Sequence, residues 1–102
     1  MKKILLVCAA GMSTSLLVTK MKKIAKERGL DVEISATSGE NLAREAEDID
    51  ILLLGPQIGF KKEEYQKKYG NKFPVEVINP VDYGMMNGEK VLDDALKLIE
   101  KK

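Results

Sequence analysis

Apolar residues fill Ile4 to Val7 without interruption, behind the basic pair Lys2 and Lys3. A short run that is apolar on both alternating faces suits a central parallel strand covered on both sides. The apolar pattern resumes with a longer period at Leu17, Met21, Ile24 and Ala25, while Lys20, Lys22, Lys23 and Lys26 fall elsewhere on the wheel. That spacing predicts an amphipathic helix, closed by Arg28 in its last turn and Gly29 just beyond. Val32, Ile34 and Ala36 alternate with Glu33 and Ser35, the mark of a half-exposed strand near a sheet edge. Ser38 is suited to cap a short helix covering Leu42, Ala43 and Ala46. Ile49 and the run Ile51 to Gly55 predict a second fully buried strand, punctuated by Pro56. Phe60, Tyr65 and Tyr69 fall on a third helix among lysines, with both tyrosines expected in the core. Pro74 to Pro80 reads as a fourth strand bounded by prolines, Asp82 to Gly88 as a loop, and Val91, Leu92, Ala95, Leu96 and Ile99 as the stripe of a final helix.

Strands and helices therefore alternate four times over. Such alternation predicts an α/β fold, one three-layer domain over residues 1–102, with a parallel sheet between helices and right-handed crossovers. In open parallel sheets, ligands bind outside the C-terminal ends of the strands. Three predicted strand ends meet there: Cys8 after the first, Gly55 and Pro56 after the third, Asn79 and Pro80 after the fourth.

Composition changes this picture little. The net charge is +1 with acids and bases interspersed, which argues against nucleic acid or a membrane as the principal partner. One cysteine forms no internal disulfide and fits a reducing, cytosolic setting. The opening residues mimic a signal peptide, but the apolar core spans only Ile4 to Ala10, and it reads as the first strand. No window approaches the length of a membrane span, so no direct membrane insertion is expected. Lys101 and Lys102 look like a solvated helix end. Histidine is absent, which removes any histidine base, metal ligand or phospho-histidine from this chain.

The chemistry concentrates at Cys8. Ala9, Ala10 and Gly11 carry little or no side chain, so backbone amides can approach an anion closely. Met12 follows, and then Ser13, Thr14 and Ser15, good cap residues among which the next helix is expected to begin. The free amides and positive dipole end of that helix would seat a phosphate without a cationic side chain. The same field lowers a thiol pKa from about 8.5 and favours the thiolate. Phosphoryl transfer is mostly positioning and charge stabilisation, so no metal or cofactor is called for. Read structurally, Cys8 is a buried small apolar residue and the hydroxyls are helix caps. Met85 and Met86, in the predicted loop, and Met12 are candidates for a contact surface.

Several rivals lack their residues. There is no glycine, lysine and Ser/Thr sequence of a nucleotide phosphate loop, no acidic Mg²⁺ ligand after the third strand, and no second cysteine two positions after Cys8. Small tyrosine phosphatases and arsenate reductases carry cysteine, five residues, then arginine; here that position is Thr14, and no arginine occurs before Arg28. Without a guanidinium clamp or a general acid in view, hydrolysis is poorly served. A thiol that accepts phosphate and does not hydrolyse it is a carrier. A hydrolytic enzyme with a degenerate loop and a non-catalytic interaction module remain the alternatives.

The segment from Cys8 to Met21, "CAAGMSTSLLVTKM", resembles the active-site loop and first helix of the IIB components of the bacterial sugar phosphotransferase system, lactose/cellobiose (chitobiose) type. "ILLLGPQI" (Ile51 to Ile58) and "PVEVINPVDYGMMNG" (Pro74 to Gly88) are similar to further segments of that family. The resemblance implies a four-stranded parallel sheet of order 2-1-3-4. It implies that Cys8 takes a phosphoryl group from a phospho-histidine of a IIA partner and passes it to a sugar held by a membrane-embedded IIC partner. As a family label, that sugar is a β-linked disaccharide such as cellobiose or chitobiose. Ala9, Ala10, Gly11, Met12, Ser13, Thr14 and Ser15 match the phosphate-cradling loop, and Gly55, Pro56, Gln57 and Tyr83 match positions around the active-site face. The expected protein is a monomer, cytoplasmic and held at the inner membrane face through IIC, with its partners on separate chains.

Overall fold

A computed structural model of the chain describes the backbone of residues 1–7 and 12–100, and the side chains of all of these but Met12 and Ser13. Four parallel strands form one sheet in the order β2-β1-β3-β4: β1 (Lys2–Val7), β2 (Val32–Thr37), β3 (Ile51–Leu54) and β4 (Val75–Val77). Ile4 lies opposite Ile34 on one side and Ile51 on the other, and Leu52 lies opposite Val75. The unbroken apolar runs therefore occupy the two central strands, as expected of strands covered on both faces.

Alternation divides the core in two. Ile4, Leu6, Ile34, Ile51 and Leu53 face a layer built from α1 (Met12–Glu27) and α5 (Gly88–Glu100), which contribute Leu17, Met21, Leu92 and Ala95. Leu5, Val7, Leu52, Leu54 and Val75 face the opposite layer, where α2 (Leu42–Glu45) supplies Leu42 and α3 (Lys62–Tyr69) supplies Tyr65 and Tyr69. The rings of Tyr65, Tyr69 and Phe73 follow one another at centroid separations of 6.3 and 5.5 Å.

α1 ends as its sequence predicts. Gly29 adopts φ +68°, and Leu30 N–H donates to the Ala25 carbonyl at 2.9 Å, closing the last turn. Arg28 then joins α1 to α5 through Asp93 at 2.6 Å and Glu89 at 3.1 Å. The hydrogen bond to Asp93, above all, holds the Arg28 guanidinium pKa above its ordinary value.

Four local expectations are corrected. Residues 82–88 are not all loop, because α4 (Pro80–Gly84) occupies the stretch after β4. Asn79 caps it, its side-chain oxygen accepting from Val81 N–H at 2.8 Å and Asp82 N–H at 3.3 Å, with Pro80 at the first helical position. The fourth strand is correspondingly shorter than Pro74 to Pro80. Residues Pro56–Lys61 form tight 3-10 turns before α3 begins, which leaves Phe60 79% exposed and outside the core. Ser38 stands at a helix-entry position, yet its side chain makes no cap bond; its hydroxyl accepts from the Asn41 amide at 3.3 Å, and a 3-10 turn precedes α2. In α2 Leu42 is buried and Ala43 is exposed.

Candidate functional site

Every strand points its C-terminal end the same way, and the connections leaving that end gather around β1. Gly55 N–H donates to the Val7 carbonyl at 2.9 Å, fastening the exit of β3 to the end of β1. Ile78 N–H donates to the Leu54 carbonyl at 2.8 Å, fastening the exit of β4 to the end of β3. Gly55 is buried, Pro56 half-buried and Gln57 exposed. Cys8 is the next residue of the chain after Val7. It lies outside the described residues with Ala9, Ala10 and Gly11, as do the side chains of Met12 and Ser13.

α1 starts at Met12, one residue before the hydroxyl group of residues in which its start was expected. Its first turn carries no carboxylate, so nothing there offsets the positive end of the helix. Thr14 is fully buried, and its hydroxyl lies 3.3 Å from the Tyr83 phenol of α4. Tyr83 is itself buried in the core layer formed with α1 and α5. The residue position at which a phosphatase loop would carry arginine is thus closed to solvent. Ser15 is exposed, and its carbonyl accepts from the Thr19 hydroxyl at 3.0 Å.

Among the large apolar side chains left exposed are Leu16 on α1, Phe60 after β3, and Val81 and Met85 on or beside α4. All four stand on segments that leave the C-terminal edge of the sheet. Met85 thus fits the contact surface expected from sequence. Met86 does not: it adopts φ +53° and packs, half-buried, against the core layer of α1 and α5. Leu16 and Phe60 were not foreseen, although Leu16 falls off the stripe of Leu17, Met21, Ile24 and Ala25 and could have been read as outward-facing. Asn79 was foreseen only as a strand end; the Asn-Pro pair carried the cap signal.

A groove of about 440 Å³ runs between β4 and α5, lined by Val77, Ile78, Asn79, Asp82, Val91 and Ala95 among others. Its described lining includes no residue of β1 or α1, so it flanks the site. Among the described residues no cluster of acidic or thiol groups could hold a metal ion, and no helix is long and apolar enough to cross a membrane.

The sequence and its fold have close counterparts among known proteins. The family model of the PTS system, Lactose/Cellobiose specific IIB subunit, matches residues 3–94. The chain belongs to this IIB family. The oligo-beta-mannoside-specific EIIB component of Bacillus subtilis is 46% identical over 100 residues, covering 97% of each chain. The galactose-specific EIIB component of Lactococcus lactis subsp. cremoris is 49% identical over 104 residues, covering 96% of each. The solution structure of the cellobiose-specific IIB component from Borrelia burgdorferi superposes with a TM-score of 0.83 at 42% identity, over 99% of this chain and 94% of that one. The lactose-specific IIB domain from Streptococcus pneumoniae has the same fold, with a TM-score of 0.85 at 16% identity over 95% of this chain and 96% of that one. IIB components of the sugar phosphotransferase system are phosphotransferases that work with IIA and IIC partners, and this IIB chain is one of them.

Proposed function

We propose that Cys8 is the phosphoryl carrier of this IIB chain and that residues 1–102 act as its carrier domain. The Cys8 thiolate attacks the phosphorus of a phospho-histidine on IIA. The S–P bond forms as the P–N bond breaks, and the imidazole leaves with the electron pair. A sugar hydroxyl held by IIC then attacks the same phosphorus. The O–P bond forms, the S–P bond breaks, the thiolate returns and the hydroxyl proton passes to a base on the acceptor side. The reading rests on one observation above all: a helix start free of carboxylates follows β1 in the chain, immediately beyond the segment that contains Cys8. Amides of Ala9 to Ser15 would meet the phosphoryl oxygens, and the same partial positive charge would depress the thiol pKa below about 8.5.

Relatives of 46% and 49% identity carry the names of different sugars, oligo-beta-mannoside and galactose. Similarity to these relatives therefore does not single out one sugar for this chain, which fits recognition placed in IIC. A β-linked disaccharide such as cellobiose or chitobiose is the substrate class we assign. Working beside a membrane-embedded IIC places the chain at the cytoplasmic face. Leu16, Phe60, Val81 and Met85 give IIA and IIC an apolar rim to dock on in turn.

Incubation with phosphorylated IIA followed by mass spectrometry tests the assignment. One phosphoryl group on Cys8 is expected, with none on Cys8→Ala. Phosphate on another residue, or equal labelling of the variant, would overturn it.

A further inference from the structure

Tyr83 sits in a core layer of aliphatic side chains, where phenylalanine would fill the same space. Its hydroxyl needs a polar partner there, because a buried phenol without one is costly. Among the described residues its partner is Thr14, 69 positions away in the chain and fully buried. Thr14 belongs to the first turn of α1, which begins directly after the segment that follows β1. Tyr83 in turn is fixed in place: its own N–H donates to the Asn79 carbonyl at 2.9 Å, and the Asn79 side chain caps the helix that carries it. A connected series of contacts therefore runs from the end of β4 through Asn79, Tyr83 and Thr14 to the start of α1.

We infer that Tyr83 is a positioning residue for phosphoryl transfer: through Thr14 its hydroxyl fixes the first turn of α1, and with it the aim of that turn's amides toward the segment after β1. The inference rests on the carrier role proposed for Cys8. At 3.3 Å the hydroxyl contact is longer than the usual O–H···O separation of about 2.7–2.8 Å, so it adds little to the stability of the fold as a whole. Direction is what a helix start contributes, since a small misalignment of a reacting group costs rate steeply.

The test uses Tyr83→Phe and Thr14→Val in the full chain, singly and together. Two readouts are needed: the rate of phosphate uptake from phosphorylated IIA, and the pH profile of Cys8 alkylation by iodoacetamide. Each single variant should slow uptake by roughly 3–10-fold and move the alkylation profile to higher pH, toward an ordinary thiol. The double variant should be no worse than either single one, because both remove the same contact. A wild-type alkylation profile and uptake rate in Tyr83→Phe, or effects that multiply in the double variant, would overturn the inference. If Tyr83→Phe does not fold, Thr14→Val against wild type decides on the same two readouts. Alkylation is read without IIA, so failure of the wild type to take phosphate would remove the carrier reading and leave the positioning result standing on its own.

Discussion

α5 begins at Gly88, and that glycine sets how closely α5 approaches α1. A Cβ built at Gly88 would stand 3.1 Å from the Lys20 Cβ, 3.2 Å from the Met21 nitrogen and 3.3 Å from the Lys20 carbonyl carbon. These atoms belong to the main chain of α1 or are bonded to it, so no side-chain rotation clears them. Gly88→Ala must push the two helices apart by a few tenths of an ångström across a layer that contains Met21 and Leu92, both fully buried. Overpacking of this kind costs about 1–3 kcal/mol. The helix-propensity gain of alanine over glycine, at most about 1 kcal/mol, offsets part of it. A net loss of about 1–2 kcal/mol should lower the urea midpoint by roughly 1 M, followed by circular dichroism with an unchanged slope. Gly84 is the control, because a Cβ there meets nothing within 4 Å; Gly84→Ala should be neutral or slightly stabilising. An unchanged or raised midpoint in Gly88→Ala would refute the close-approach reasoning.

Asn79→Ala removes the cap of α4 and should cost about 1 kcal/mol in chemical denaturation, with Asn79→Asp recovering most of it. Phe73→Ala empties a fully buried site in the stacked aromatic series and should cost about 3–5 kcal/mol, read as a fall in thermal midpoint. Arg28→Ala breaks the exposed bridge from α1 to Glu89 and Asp93; its destabilisation should be small and should shrink further as salt is added. Because the Arg28 pKa is raised, the charged form persists and its contribution is lost only in strong alkali. The difference between Arg28→Ala and wild type should therefore stay constant from neutral into mildly alkaline buffer.

The parts of the fold that bury many residues were legible in the chain. Ile4 to Val7 and Ile51 to Leu54 are apolar at every position and became the central strands. The stripe from Val91 to Ile99 became α5. Strand order 2-1-3-4 came from family resemblance and is the order observed. What escaped was short. α4 spans five residues and buries one of them, Tyr83, so no periodicity reveals it; only the cap chemistry of Asn79 and Pro80 does. Phe60 was expected on the same helix as Tyr65 and Tyr69, yet the turns that follow Pro56 delay the helix and leave Phe60 exposed. At the candidate site, sequence singled out Thr14 and Tyr83 separately, and only three-dimensional structure joins them. The roles of Cys8 and the small residues after it rest on their place in the chain and on family membership.

The distinction between a carrier and a hydrolase is tested most directly by a chase. The chain is labelled with radioactive phosphate from IIA, freed of the donor, and divided between buffer alone and vesicles containing IIC with sugar. The label should stay on the protein in buffer and move to the sugar only where IIC and sugar are both present. Rapid release as inorganic phosphate in buffer, or no transfer to sugar with IIC present, would contradict the account.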